Sequence, residues 1–309
     1  MTQTFDYDVF CLGGAAVDWI LRVPRLPQPD EKLVATFAGR VAGGLVANTA
    51  CAAARLGLRV AWSGYVGDDE GGEILRRGFE DFGVELVGLE PSSMTLSDFT
   101  VILLEPSGRR TILVVSPERR LPPLTDAVIN TMAKARLVYT VPWTADWIRE
   151  VARICKRIGV PLVLDMEASN FGSPLEDEND LLSAVCLLFC PQESMENLSI
   201  GEETAWNFIR AGVEQVVITQ GAEGATVLTR DGKFSSPAFK VPVVDTTGAG
   251  DCFHAAYIAA WLWGWSPFQA VRFASAAAAL SVQHLGARGG FPTRERVLEF
   301  LSEQGAALW

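Results

Sequence analysis

No stretch of this chain reaches the roughly 18 unbroken apolar residues that a membrane-spanning helix requires. Its most apolar run, AAYIAAWLWGW at 255–265, is too short and suits a buried helix. The opening residues, MTQTFDYDVFCLGG, lack a basic stretch followed by an apolar one. No secretion leader is read there, and a cytoplasmic protein is expected. Positive charge is also short: 26 Lys and Arg stand against 37 Asp and Glu, a formal net charge of −11. That balance argues against a nucleic-acid or anionic-membrane partner. It leaves room for an anionic small substrate, because a pocket can gather a local basic cluster. Six cysteines lie at 11, 51, 155, 186, 190 and 252, with no Cys-x-x-Cys pair among them. Buried free thiols are expected rather than disulfides or a zinc site. There is no internal repeat and no low-complexity segment.

What is present is a globular composition, 49% hydrophobic and 20% charged over 309 residues, enough for a sizeable core. Short apolar runs alternate with amphipathic stretches. ARLVYTV (135–141), PLVLDM (161–166) and AVCLLFC (184–190) read as buried parallel strands. Segments such as 144–159, TADWIREVARICKRIG, read as the helices between them. Repeated β-α units predict one α/β domain over 1–309, a doubly wound, mostly parallel sheet with helices on both faces. Two stretches break this rhythm: 31–42 and 97–116 are strand-rich with no helix between, and TVILLE-PSGR-RTILVV is a hairpin pattern. They are expected, at about 14–41 and 97–116, to form a small antiparallel lid. The plain alternative is an edge extension of the main sheet.

The chemistry centres on DTTGAGDCFHAAYIAAWLW, 245–263. A strand end runs into Gly-Ala-Gly, and an apolar helix begins near Ala249. The first amides of a helix lack intrahelical partners and carry the positive end of its dipole. Gly248, Ala249 and Gly250 would present them to a phosphate. Asp251, in the first turn, is placed to take a proton from a hydroxyl as that hydroxyl attacks phosphorus. The plain alternative makes Asp251 a helix cap and Gly-Ala-Gly a tight turn.

At these residues the sequence resembles the ribokinase-like carbohydrate kinases, the phosphofructokinase-B family. DTTGAGD is the most specific element. It is joined by GRVAGGLVANTACAAARLG (39–57), VGDDEGGE (66–73) and TQGAEG (219–224), so the resemblance spans nearly the whole chain. It implies a ribokinase-like fold whose lid covers a sugar, and an ATP-dependent transfer of the γ-phosphoryl group to a sugar hydroxyl. It makes Asp251 the base and 248–250 the anion hole. Asp18 would accept from sugar hydroxyls, Gly43 and Gly44 would admit the substrate close to the backbone, and Asn48 would offer it a donor and an acceptor. Thr219, Gly221 and Gly224 would line ATP. The loop HLGARGGFP (284–292) would border the adenine. Carbonyls near Asp245 and Thr247 would hold a monovalent cation, K+, if one is used. Mg2+ is implied as well, but the family's Asn-x-x-Glu is altered. Gln192 and Met195 stand at its two positions, with Glu193 and Glu196 nearby and Glu193 the candidate to act through water.

His254 reads as a core histidine, or as a substrate contact one turn below Asp251. Arg109 and Arg110 read as a solvated hairpin tip, or as groups reaching an anionic substrate or a partner subunit. Trp143 is a candidate to stack on a sugar. The stretch 237–256 is similar to the ketohexokinase and sulfofructose kinase branch, which implies a ketose. Lys32 is a candidate for an anionic tail, but Pro142 and Val114 offer nothing charged, so a neutral sugar is favoured. A nucleoside kinase, supported by Phe37, Phe99 and Trp143 in the lid, and a non-catalytic sugar or nucleotide sensor are the competing readings. The resemblance further implies a homodimer paired through the lid.

Overall fold

The computed structural model describes residues 4–89, 96–116, 120–166, 179–197 and 201–306. Nine strands form one sheet: β1 (Val9–Leu12), β4 (Val60–Ser63), β5 (Glu85–Leu86), β8 (Val138–Thr140), β9 (Leu162–Asp165), β10 (Val185–Pro191), β11 (Gln215–Thr219), β12 (Ala225–Thr229) and β13 (Gly232–Ser236). Their spatial order is β13-β12-β11-β10-β9-β8-β1-β4-β5. All neighbours are parallel except at β11–β12 and β12–β13. The central strands are buried along their length because helices cover both faces, which is why they read as unbroken apolar runs. Two clusters result. One packs around α1 (Leu45–Arg55), α8 (Ala249–Leu262) and α9 (Pro267–Ser281). The other packs around α3 (Asp126–Met132), α4 (Ala145–Ile158) and α7 (Glu202–Ala211). Helix ends follow the sequence signals. Thr144 caps α4, which closes on Gly159 in the left-handed region, and Ser266 with Gln269 forms a capping box on α9. All six cysteines are buried free thiols.

A second sheet stands apart, in the order β3-β2-β6-β7: β2 (Ala16–Arg22), β3 (Thr36–Gly43), β6 (Phe99–Leu104) and β7 (Arg110–Val115). β2–β3 and β6–β7 are antiparallel, but β2 and β6 run parallel, a departure from a wholly antiparallel lid. The reason is connectivity: β2 reaches β6 through α1, β4, α2 (Glu70–Glu80) and β5 rather than through a turn.

The order of the large sheet reverses at β1, whose neighbours β4 and β8 lead in opposite directions. Open α/β sheets bind ligands outside the carboxyl ends of their strands at such a switch point. The root of the lid lies beside it. Gly44 has φ of 96°, and a Cβ there would lie 2.6 Å from the Ala15 Cα and 2.7 Å from the Ala16 nitrogen. The Gly67-Asp68-Asp69 stretch is structural: Asp69 caps α2 through the Gly72 amide and accepts from the amide and hydroxyl of Ser97.

Gly44→Ala is therefore expected to lower stability by about 1–3 kcal/mol through backbone strain. Urea unfolding checks this, and an unchanged midpoint would contradict the tight crossing at the lid root.

Candidate active site

Helix α8 begins at a turn that Gly248 makes possible, with φ of 76°. A Cβ on Gly248 would also lie 2.6 Å from the Ala287 carbonyl oxygen, so the 284–292 loop packs directly on the turn. Among the described residues, the amides of Gly248 and Gly250 donate to no backbone carbonyl. The Ala249 amide differs from expectation: it turns back to the Thr246 carbonyl at 3.3 Å, closing the turn rather than facing outward. His254, one turn on, lies against Asp165 at the end of β9 and Phe189 in β10. The start of α8 therefore projects beyond the carboxyl ends of the parallel strands.

Asp251 is buried in that first turn, 6% exposed, and its Oδ2 accepts from the Asn48 Nδ2 at 2.8 Å. Asn48 is buried four residues into α1 and accepts at Oδ1 from the Arg288 Nε at 2.9 Å. The two ends of the Asn48 amide are thus engaged within the protein, which narrows its expected role as a double contact to sugar. Asp18 is buried on β2, where its Oδ1 accepts from the Thr100 hydroxyl at 2.7 Å. Burial raises the Asp18 carboxyl above its ordinary value, against the Thr100 hydroxyl and the charge of Arg288, which pull it down. Gly43 serves this carboxylate rather than a substrate's approach: a Cβ there would meet Asp18 Oδ2 at 2.1 Å.

Strand alternation orders the lid. Asp18, Thr100, Arg110, Ile112 and Val114 share one face by register. Of the two sequence readings of Arg110, the inward one fits: it hydrogen-bonds from Nη1 to the Thr246 hydroxyl, beside the Gly248 turn, and its Nε is buried without a partner. Arg109 behaves as a tip residue, paired with Glu105 at 2.8 Å. Phe99 neighbours Thr100 and so lies on the opposite face, where Phe37 packs with it against Trp19. Those aromatics do not line the cleft. Trp143 lines a small cavity with Gly13, Gly14 and Tyr65, its Nε1 buried without a partner. Lys32 is exposed ahead of β3.

Both oxygens of Asp245 are taken up by protein donors: Oδ1 by the amide and hydroxyl of Thr247 at 2.9 and 2.7 Å, Oδ2 by the Gly286 amide at 2.9 Å. A cation at this loop would have to use carbonyls. Thr219 ends β11, and Gly221 to Gly224 form a tight connection to β12, where a Cβ on Gly224 would meet the Ser236 carbonyl at 2.1 Å. At α6 (Gln192–Asn197), Met195 is buried, so it belongs to the core, while Glu193 is exposed. Gln192 joins Glu196 at 3.0 Å and Gln220 at 3.3 Å. Among the described residues no three His, Cys, Asp or Glu side chains converge as a ready metal cage. Mg2+ that keeps its waters and binds substrate phosphates needs only one or two carboxylates, and Glu193 and Glu196 of α6 are exposed. His254 is fully buried, with Nδ1 3.2 Å from Asp165, whose Oδ2 accepts from Tyr139 at 2.8 Å. Its ring stacks on Phe189, so it is a core residue. Arg288 is the site feature that sequence reading missed.

Residues 6–294 match the family described as pfkB family carbohydrate kinase. The chain is 30% identical to a ribokinase of Haemophilus influenzae, over 94% of this chain and 97% of that protein. It is 31% identical to an ATP-dependent ribose-1-phosphate kinase of Halopiger xanaduensis, over 95% and 98%. The structure of Arabidopsis thaliana ribokinase with ribose and ATP superposes with a TM-score of 0.81 at 27% identity, covering 96% of this chain and 98% of that one.

Because the folded-state pKa of Asp18 is raised, its ionised form carries a cost at neutral pH, which is absent below the unfolded-state value. Asp18→Asn is expected to leave Tm unchanged or higher at pH 7, yet to raise the KM for a sugar at least roughly tenfold. For the unsubstituted protein, that KM should rise as pH falls into the carboxylate range. Thermal scans with steady-state kinetics check both, and a lower Tm with unchanged KM would contradict the assignment.

Proposed function

This chain belongs to the pfkB family of carbohydrate kinases, and from that premise we propose that it transfers the γ-phosphoryl group of ATP to a hydroxyl of a pentose-sized sugar. One observation carries the reading: a buried carboxylate, Asp251, shares the first turn of α8 with the amides of Gly248 and Gly250, which donate to no described backbone carbonyl, and is linked through Asn48 and Arg288 to Gly43 at the lid root, beside Asp18. The acceptor hydroxyl donates its proton to Asp251 as its oxygen bonds to the γ-phosphorus. The bond to the β–γ bridging oxygen breaks, and ADP leaves with that electron pair. Amides at the turn and the Arg110 guanidinium beside Thr246 meet the charge that develops on the transferring group. Asp18 and the Asn48 amide orient the sugar. Thr219, Gly221 and Gly224 border the nucleotide. Mg2+, held through water by Glu193 or Glu196, would neutralise phosphate charge; K+ would sit at carbonyls of the 245–247 loop. A cytoplasmic location belongs to the same proposal.

The similarity to ribokinases and to a ribose-1-phosphate kinase supports ribose or a ribose phosphate ahead of the ketose implied by the sequence motifs. The inward Arg110 gives an anionic sugar more support than the hairpin sequence did. Of the aromatics offered for a nucleoside, Phe37 and Phe99 lie on the outer lid face, which leaves Trp143, in the small cavity beside Gly13 and Gly14, as the remaining support for a nucleoside kinase.

That outer face presents Trp19, Phe37, Leu113 and Val115, which are exposed, while α2 packs on part of it, at Arg40 and Ala42 of β3, through Glu70 and Gly78. A sheet face of this kind calls for a partner, and we assign it to a second copy of the chain.

A panel of ribose, deoxyribose, ribose 1-phosphate, fructose and adenosine, read by ADP release, is expected to show turnover on a pentose or its phosphate. Asp251→Asn should lower kcat by roughly 10²–10⁴. Absence of turnover on every sugar would turn the assignment toward a ligand sensor. Light scattering should give a dimer that Leu113→Lys converts to a monomer; a monomeric unsubstituted protein removes the pairing.

A further inference from the structure

Arg288 is the least expected group near Asp251. It sits in the loop between α9 and α10 (Arg294–Glu303), a segment read from sequence as an adenine border. Its guanidinium makes three bonds to three elements: Nε to Asn48 Oδ1 at 2.9 Å, Nη1 to the Gly78 carbonyl of α2 at 3.0 Å, and Nη2 to the Gly43 carbonyl at the root of β3 at 3.0 Å. The ring of Phe79 lies under it, 5.3 Å from the guanidinium carbon. Burial pulls its pKa below the ordinary arginine value, opposed by the neighbouring Cys51 and by the charges of Asp18 and Asp251. One interior cation thus faces both acids of the site.

The bond to Asn48 has a directional consequence. Arginine only donates, so the amide oxygen must face it. The Asn48 NH2 is then forced toward Asp251, where it donates at 2.8 Å. A carboxylate in a helix first turn can rotate among several rotamers. Here one oxygen is pinned by an amide whose own orientation is pinned by Arg288. The same loop carries Ala287 against Gly248 and the Gly286 amide on Asp245. A purely structural cation would be satisfied by the two carbonyls. Arg288 spends its Nε, the donor nearest the chain, on a side chain that donates to the proposed base.

We infer that Arg288 is a positioning residue for phosphoryl transfer: through Asn48 it sets the carboxylate of Asp251 and ties the anion turn to the root of the lid. The inference rests on Asp251 being the base, as proposed above. Its geometric half, the hold on Asn48, is testable without turnover.

The test uses the full chain as Arg288→Gln and Arg288→Lys. The side-chain amide signals of Asn48, assigned by their loss in Asn48→Ala, are expected to be well separated in the unsubstituted protein. In Arg288→Gln they should collapse toward those of an exposed asparagine. In sugar kinetics, Arg288→Gln should lose about 10- to 100-fold in kcat, as expected when a reacting group is displaced by an ångström or less. The KM for ATP should stay within about twofold, and Arg288→Lys should recover part of kcat because it restores the charge but not the fork. Unchanged Asn48 signals in Arg288→Gln overturn the inference whatever the activity. So does a kcat within about twofold of normal accompanied only by a lower Tm. If the unsubstituted protein phosphorylates no sugar, the kinase proposal fails separately, and the Asn48 signals still decide the clamp.

Discussion

A carboxylate buried at the start of an apolar helix is an expensive thing to keep, and the site follows from how Asp251 is kept. Three supports act on it. The helix dipole favours negative charge in the first turn. The Asn48 amide donates to one oxygen, and the Arg288 guanidinium lies close enough to couple to its charge. The anion turn needs the same arrangement from the other side: Gly248 in the left-handed region opens the turn, and Ala287 packs where a side chain would have been. The Asp251 carboxylate and the Gly248 turn are therefore fixed by shared neighbours.

The lid solves a related problem with strand geometry. Side chains alternate across a strand, so β2, β6 and β7 in their observed register place Asp18, Thr100 and Arg110 on one face. The other face receives Trp19, Phe99 and Leu113. A slip of one residue would exchange the faces, burying the carboxylate and the cation in the apolar patch. Register is held at the root, where Gly43 leaves room for the Asp18 carboxylate and gives its carbonyl to Arg288.

How much of this was readable depended on distance along the chain. The large sheet, its helices and the Gly-Ala-Gly turn are local patterns, and the chain states them within a few residues. The inward-facing lid residues were half readable: alternation in SDFTVILLE already separates Phe99 from Thr100, and applying it would have kept Phe99 out of the cleft. Met195 belongs to the core because α6 turns it inward, a contest between burial and metal binding that spacing alone does not resolve. Arg288 was out of reach, and the partner of Arg110 was as well, although its inward reach was one of two readings. The first meets Asn48 across 240 residues and the second meets Thr246 across 136. Nothing local marks an arginine as interior, since its usual place is the surface.

Charge balance closes the account of the site. The chain as a whole is acidic, and so is the cleft: Asp18, Asp245 and Asp251 stand against Arg110 and Arg288. Asp245 is held by two amides and a hydroxyl, so its charge is met by dipoles rather than by a cation. That leaves two acids and two guanidiniums, a near-neutral pair of pairs with little positive charge to spare for a triphosphate. A hydroxyl substrate suits such a site, since it brings donors to carboxylates. A nucleotide suits it only when its phosphates arrive already matched by a divalent cation. On this reasoning the protein's own charges are committed to orienting the acceptor and its base, and the counter-charge for the proposed phosphoryl donor comes with the donor.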